Sequence, residues 1–154
     1  GVFSAGSTRL DAASEHGVPQ LVVPGCIDMA NFGGMDTVPQ RYKDAERLFY
    51  EWNPAVTLMR TNAEENAQMG RVFAEKANVS TGPVAFLLPL EGVSILDGDG
   101  ELFCDREADA AFFHALKAHL RSDIPVYEAE LNINDPAFSA RAVELLLGLM
   151  SEGA

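Results

Sequence analysis

Short apolar runs recur along the chain, separated by segments in which apolar residues repeat at helical spacing. The runs cover residues 21–23, 48–50, 56–59, 83–88 and 124–127. Runs of this length predict buried β-strands, and the periodic segments between them predict amphipathic α-helices. Strands that alternate with helices favour a parallel sheet. The pattern therefore predicts one α/β domain over residues 1–154, with a three-layer α/β/α, Rossmann-like arrangement and a mostly parallel sheet.

Capping residues mark where the predicted helices begin. The candidate starts are Thr8 with Asp11, Thr61 with Glu64, Asp105, and Asp135 with Pro136. The two Thr pairs have capping-box spacing, and an Asp followed by Pro is typical of the first helical residues. Gly17 predicts a left-handed end for the first helix.

The loops that follow the predicted strands carry most of the polar and small residues. They are residues 4–8, 24–32, 89–97 and 132–135, with Arg60 and Thr61 expected beside them. Loops of this kind meet at the carboxyl edge of a parallel sheet, which is where open α/β sheets bind ligands. Residues 28–47 and 90–104 are predicted as long loops, which are often functional. We therefore expect a ligand site at this edge.

Charge narrows the classes of ligand and partner. The chain has 11 Lys and Arg against 23 Asp and Glu, a net charge of −12. This balance argues against a nucleic acid or an anionic membrane as partner. No run approaches the ~20 apolar residues that cross a bilayer, and the two distant cysteines suit a reducing cytoplasm. Because the first residues, Gly1 to Phe3, resemble the end of a buried strand, we expect a longer protein whose upstream residues complete the sheet and the site.

Two features could hold an anion. Ser4, Gly6 and Arg9 lie around a predicted helix start, where free N–H groups favour phosphate or carboxylate. The spacing matches neither common nucleotide signature, so an ordinary tight turn is the alternative. Arg60 is suited to bidentate anion binding, and a surface ion pair is its alternative.

Cys26 and Asp28 are the weak catalytic candidates. Cys26 follows a strand, where nucleophiles occur, but the three histidines lie in helical segments away from it, so packing is the alternative. Asp28 is the carboxylate best placed to share a divalent ion brought by a nucleotide, ahead of Asp97, Asp99 and Asp135. The sequence shows no zinc spacing, and we predict no metal site formed by protein alone.

Five segments together resemble a known family. One is Val-Pro-Gly-Cys-Ile-Asp-Met-Ala-Asn-Phe at residues 23–32, and the others are residues 1–10, 53–61, 82–94 and 132–138. In this order they resemble the C-terminal half of uncharacterised protein family 0261, a bacterial and plant family typified by the tomato tobamovirus-resistance protein and described as an ATP-binding domain. The resemblance implies an upstream half in the same protein and a nucleotide, ATP with Mg²⁺, in the cleft.

The resemblance also implies which positions face the cleft. The motif positions are Gly6, Gly25, Asp28, Asn31, Arg60 and Asn134, to which the loops add Ser4, Arg9, Thr61 and Gly92. The first hypothesis is a cytoplasmic ligand-binding domain for ATP or another anionic small molecule. The second is an enzyme acting on a nucleotide or an acyl compound, with Asp28 or Cys26 taking part and Arg60 as anion anchor. The third is a protein-interaction module, and self-association is plausible for such a sheet.

Overall fold

The computed structural model describes residues 4–152 and contains two three-stranded sheets and five α-helices within that range. The predicted strand end at Gly1 to Phe3 lies outside the described residues. In chain order the elements are α1 Asp11–Glu15, β1 Gln20–Val22, β2 Met29–Phe32, α2 Gln40–Asp44, β3 Phe49–Asn53, β4 Val56–Arg60, α3 Ala63–Asn78, β5 Val84–Pro89, α4 Arg106–His119, β6 Val126–Ala129 and α5 Pro136–Glu152. The α/β class is confirmed.

The first sheet is parallel, with the order β1-β5-β6. Its central strand β5 is buried at all six residues, as the longest apolar run predicted. Helices α3 and α4 pack closely together and share a core with β5. Gly70 permits this approach, because a Cβ atom there would lie 2.5 Å from the carbonyl oxygen of Phe112. Phe112 in turn meets the ring of Phe73 edge to face, with 5.2 Å between centroids.

The second sheet is antiparallel, with the order β2-β4-β3. A single, mostly parallel sheet was therefore a wrong prediction for residues 29–60. The long loop predicted over residues 28–47 is also wrong, because it contains β2, a 3₁₀ turn at Met35–Thr37 and α2. A four-residue strand followed by Gly33 and Gly34 is too short to show a period of two.

The two long helices that follow strands have local start signals. The capping box of α3 uses Asn62 and Glu65, whose side chains each accept the other's backbone N–H at 2.9 Å. The prediction of Thr61 as the cap was wrong by one residue. Asp105 caps α4 as predicted, accepting from Ala108 N at 3.0 Å. The predicted start of α5 is confirmed at Pro136.

Helix α1 is only five residues long, and its predicted cap was wrong. Leu10 is the residue before the helix, with φ of 72°, and no side chain caps it. Thr8 contributes only its backbone oxygen, which accepts from Asp11 N at 3.1 Å. Gly17, with φ of 63°, is left-handed as predicted.

Helix α5 contacts β1 and β5 and buries Phe138 and Leu149. Its opposite side carries Val143, Leu147 and Met150, which are 58%, 56% and 53% exposed. Across the described residues, we find no helix both long and apolar enough to cross a membrane.

Candidate functional site

A cavity of about 590 Å³ lies between the antiparallel sheet and the loops that follow β1, β5 and β6. Its floor is one face of the antiparallel sheet, and alternate residues Ala30, Phe32 and Met59 turn to a separate small core. The lining residues are Cys26, Met29, Asn31, Trp52, Asn53, Val56, Leu58, Val93, Ser94, Ile95, Leu96, Ile133 and Asn134.

Backbone hydrogen bonds join the three loops at this cavity. Cys26 N donates to Val93 O at 2.8 Å, and Ile133 N donates to Gly92 O at 2.9 Å. Three of the four loops expected to meet therefore do so. The fourth, residues 4–8, does not contribute to this lining.

The polar groups of the cavity are uncharged. Among the described residues, its lining has the amides of Asn31, Asn53 and Asn134 and the Ser94 hydroxyl, but no Asp, Glu, Lys, Arg or His. Trp52 lies at the mouth and is 58% exposed, with its ring at 6.1 Å from that of Tyr50. Apolar walls with a few amides are typical of sites for small organic ligands.

Cys26 lines this cavity but has the features of an unreactive thiol. It is exposed, so the packing role expected for it as a buried residue is wrong. Its backbone is left-handed, with φ of 54°. Partial removal of the sulfur from solvent, followed by repulsion from the Asp28 carboxylate, raises the pKa of the Cys26 thiol. Both effects disfavour the thiolate that a nucleophile requires.

Asp28 is fully buried and reaches the cavity only through Ser94. Ser94 Oγ donates to Asp28 Oδ2 at 2.7 Å, and Leu96 N donates to the same Oγ at 3.1 Å. Within residues 4–152, Asp28 Oδ1 has no hydrogen-bond partner. Burial raises the pKa of the Asp28 carboxyl, while the Ser94 hydrogen bond and the Arg60 charge partly oppose the increase. Sequence reasoning missed Ser94, although it lies in one of the matched segments.

Arg60 belongs to a group of ionisable side chains, here called the charge cluster, formed with Asp97, Arg106 and Asp109. The Arg60 side chain is 5% exposed, and one guanidinium nitrogen lies 2.7 Å from Asp109 and 3.2 Å from Asp97. Its Nε donates to Phe103 O at 2.7 Å. This is a buried ion pair, in contrast to the surface ion pair considered from the sequence. The guanidinium is occupied by protein groups and does not line the cavity.

Asp97 connects the charge cluster to the wall of the cavity. Its Oδ2 accepts from Val93 N at 2.8 Å and lies 3.4 Å from Arg106. Burial raises the pKa of Asp97 to about 7, and the neighbouring Asp109 adds to the increase. Through this bond to Val93, the charge cluster holds the loop after β5 in place, while its own side chains stay outside the cavity.

Thr61 is buried and connects two elements behind the cavity, without being part of its lining. Its Oγ1 donates to Ile27 O at 2.7 Å, and its backbone N donates to Asp28 O at 2.9 Å. These bonds attach the loop after β1 to the end of β4. Asn66 Nδ2 donates to the same hydroxyl at 2.9 Å.

Gly25 and Gly92 allow the loops to approach each other. A Cβ atom at Gly25 would lie 3.0 Å from Ile133 Cδ1. Gly92 has φ of 129°, and a Cβ atom there would lie 2.4 Å from Asn132 Nδ2. Sequence reasoning also missed Asn132, which donates to Ser94 O at 3.0 Å and accepts from Asn134 N at 2.9 Å.

The predicted anion site near the N-terminus is separate from the cavity. Ser4, Gly6 and Arg9 are exposed, and none of them lines the cavity. The segment contacts α3 instead, where Lys76 Nζ donates to Ser7 O at 2.5 Å. In the described part of the chain, no group of three or more His, Cys, Asp and Glu is placed to hold a metal ion.

Comparison with known families identifies the class of protein. Residues 1–150 match the model of the uncharacterised protein family UPF0261, C-terminal domain. The chain belongs to this family, and the resemblance seen in the sequence is confirmed.

Similar proteins occur in bacteria and in a plant. The chain is 43% identical to a UPF0261 protein of Clostridium tetani over 99% of its own length and 37% of that protein. It is 46% identical to a UPF0261 protein of Rhizobium meliloti, over 93% and 36% of the two chains. It is 35% identical to the ToMV susceptible protein tm-1(GCR26) of Solanum lycopersicum, over 96% and 20%. The chain thus spans little more than a third of these bacterial relatives.

Proposed function

We propose that this chain is a ligand-binding α/β domain whose cavity takes the uncharged, planar part of a nucleotide. The observation that carries the proposal is the composition of the cavity. Apolar walls surround the amides of Asn31, Asn53 and Asn134, and the described lining has no charged side chain. A volume of about 590 Å³ is within the usual range for small-molecule sites.

A nucleobase satisfies this cavity better than a phosphate. The base offers a flat surface to the Trp52 ring at the mouth and hydrogen-bonding edges to the amides. A triphosphate needs cations or free N–H groups, and Arg60 is already paired with Asp97 and Asp109. ATP is therefore proposed to bind by its base here, with its phosphates and any Mg²⁺ outside this cavity.

Trp52 provides a direct test because it is the single tryptophan of the chain. Titration with adenosine is expected to change its fluorescence, and ATP is expected to compete for the same site with and without Mg²⁺. Calorimetry should show that Trp52→Ala weakens adenosine binding about tenfold or more. Tyr127→Ala, which changes a partly exposed aromatic residue outside the cavity, is the matched control. Absence of adenosine and ATP binding at millimolar concentration would contradict the proposal.

A second proposed role is attachment to the remainder of the longer protein. The exposed apolar stripe of α5, Val143, Leu147 and Met150, is the observation that favours it. Exposed apolar stripes commonly mark interfaces, and in the bacterial relatives nearly two-thirds of the length lies outside the matched region. We propose that this additional part covers the stripe.

Thermal unfolding of two proteins tests this role. Leu147→Lys is expected to lower the melting temperature of the full-length protein by several degrees, while leaving the 154-residue chain unchanged. An equal change in both would contradict the proposal, since the stripe would then stabilise this chain alone. Dimerisation of the 154-residue chain that the substitution abolishes would assign the stripe to self-association instead.

We further infer a three-layer arrangement around the parallel sheet. Alternate residues Val84, Phe86 and Leu88 share a core with α3 and α4. Ala85 and Leu87 are equally buried, and α5 contacts the same strand. Because successive residues of a strand point to opposite faces, this pattern supports helices on both faces.

A further inference from the structure

The Ser94 hydroxyl has a hydrogen-bonding direction that its protein partners determine. A serine hydroxyl has one hydrogen to donate and two lone pairs to accept with. While Asp28 is ionised, its carboxylate can only accept, so the Ser94 hydrogen is committed to Asp28 Oδ2 at 2.7 Å. One lone pair is committed to Leu96 N at 3.1 Å, because a backbone N–H can only donate. The remaining capacity of Ser94 is therefore one acceptor.

The hydroxyl cannot reverse this direction at low cost. Asp28 is fully buried, and its Oδ1 has no hydrogen-bond partner among residues 4–152. If the Ser94 hydrogen turned to a ligand, Oδ2 would lose its side-chain partner as well, and a buried carboxylate with neither oxygen bonded to a side chain is strongly unfavourable. Asn132 also fixes the Ser94 backbone, because its Nδ2 donates to Ser94 O at 3.0 Å.

Ser94 is at the same time one of the residues that line the cavity, where it is 3% exposed. We propose that the Asp28–Ser94 pair selects ligands that present a hydrogen-bond donor, such as the amino group of an aminopurine, over ligands that present an oxygen there. This inference rests on the proposed function and specifies its ligand class. Ser94 is the contact residue, and Asp28 is a positioning residue that acts through it.

Three nucleosides provide the test, with calorimetry on the full-length protein at about pH 8, well above the ordinary carboxyl pKa. Adenosine carries an amino group at the purine 6-position, purine riboside lacks it, and inosine has an oxygen in its place. We expect adenosine to bind about tenfold more tightly than either analogue, the discrimination of one well-formed hydrogen bond. Equal binding of all three would overturn the inference and leave the proposed binding function intact.

Two variants separate selection from structural support. Ser94→Ala is expected to bring the three affinities within about twofold of one another, whereas Ser80→Ala, at another buried serine, should preserve the discrimination. Asp28→Asn can donate its amide to Ser94 Oγ, so the hydroxyl hydrogen becomes free and the adenosine-to-inosine ratio should fall.

If Ser94 and Asp28 had only a structural role, each variant would weaken the binding of all three nucleosides equally and leave the ratios of their affinities unchanged. That result in both variants would overturn the inference. Failure of all three nucleosides to bind the wild-type protein would overturn the proposed function and this inference with it.

Discussion

The charge cluster and the cavity are neighbouring polar regions with opposite properties. In the charge cluster, Arg60 is surrounded by two carboxylates and by backbone oxygens. In the cavity, three asparagines and one serine line a mostly apolar space. The loop after β5 separates them, since Asp97 accepts from Val93 N on one side and Val93 and Ser94 line the other. The charges stabilise the wall, and the neutral groups remain available for a ligand.

The largest expected effect on stability comes from removing Arg60, the most deeply buried cation of the charge cluster. Arg60→Ala leaves Asp97 and Asp109 buried without their main counter-ion, and breaking a buried pair in this way costs about 3–5 kcal/mol. Urea unfolding should show a lower midpoint at unchanged slope.

Arg121→Ala is the matched control, because Arg121 pairs with the exposed Asp123. Its cost should stay within about 1 kcal/mol. A small effect of Arg60→Ala on stability together with a large loss of ligand binding would instead return Arg60 to the role of anion anchor.

The next effect concerns the approach of the loops at the cavity. Gly92→Ala places a Cβ atom 2.4 Å from Asn132 Nδ2, whereas Gly100→Ala places one with no atom within 4 Å. Both glycines have positive φ, 129° at Gly92 and 81° at Gly100, so both variants carry backbone strain and only Gly92→Ala adds a steric clash. Gly92→Ala is expected to lower the free energy of unfolding by about 1–3 kcal/mol more than Gly100→Ala does. It is also expected to weaken adenosine binding. Equal losses of unfolding free energy in the two variants would show that the close approach of Gly92 to Asn132 is not required.

A third effect concerns the pH dependence of stability. The pKa of Asp97 is raised by burial to about 7, so the native state retains a proton that the unfolded state releases near pH ~3.9. The corresponding stabilisation is complete below the unfolded pKa and is lost as the pH rises through about 7.

Unfolding free energies measured between about pH 4 and 7 should therefore fall more steeply in the wild-type chain than in Asp97→Asn. Asp123→Asn is the control, because hydrogen bonding to Arg121 lowers the pKa of Asp123. The contribution of Asp123 to the pH dependence of stability therefore has the opposite sign to that of Asp97. Parallel wild-type and Asp97→Asn curves would contradict the assignment.

The smallest expected effect is a pH dependence of ligand selectivity, which involves the Asp28–Ser94 pair and not the charge cluster. Burial raises the pKa of Asp28, which also senses Arg60 from β4 and Asp109 from α4. A protonated Asp28 can donate to Ser94 Oγ and release the hydroxyl hydrogen. The adenosine-to-inosine affinity ratio is therefore expected to decrease a few-fold as the pH is lowered through this pKa. In Asp28→Asn the ratio should not change with pH, and an unchanged wild-type ratio would exclude the effect.

Local signals predicted much of this molecule, and long-range contacts account for what they missed. Asp105 and Asp135 cap helices within three residues, so their sequence neighbours reveal them. The partners of Arg60 lie 37 and 49 residues further along the chain, and no local pattern connects them. An arginine between a strand and a helix start, in a chain with few basic residues, therefore resembled an anion anchor.

The cavity was predicted in position better than in composition. Strand ends placed Asn31 and Asn134 at the right edge, and both line the cavity. Trp52 and Asn53 were missed because they come from β3, and only its antiparallel pairing with β4 brings them to the cavity. Ser94 was missed because a serine in a loop has no distinguishing signal until its partner Asp28 is known.

The most direct test is to map adenosine onto the chain by nuclear magnetic resonance. If the neutral cavity is the ligand site, the side-chain amides of Asn31, Asn53 and Asn134 and the Trp52 indole should shift on titration. The backbone amides of residues 4–9 and the Arg60 guanidinium should shift little. Shifts concentrated at residues 4–9 or at Arg60, with the cavity amides unchanged, would contradict the division between structural charges and a neutral binding site.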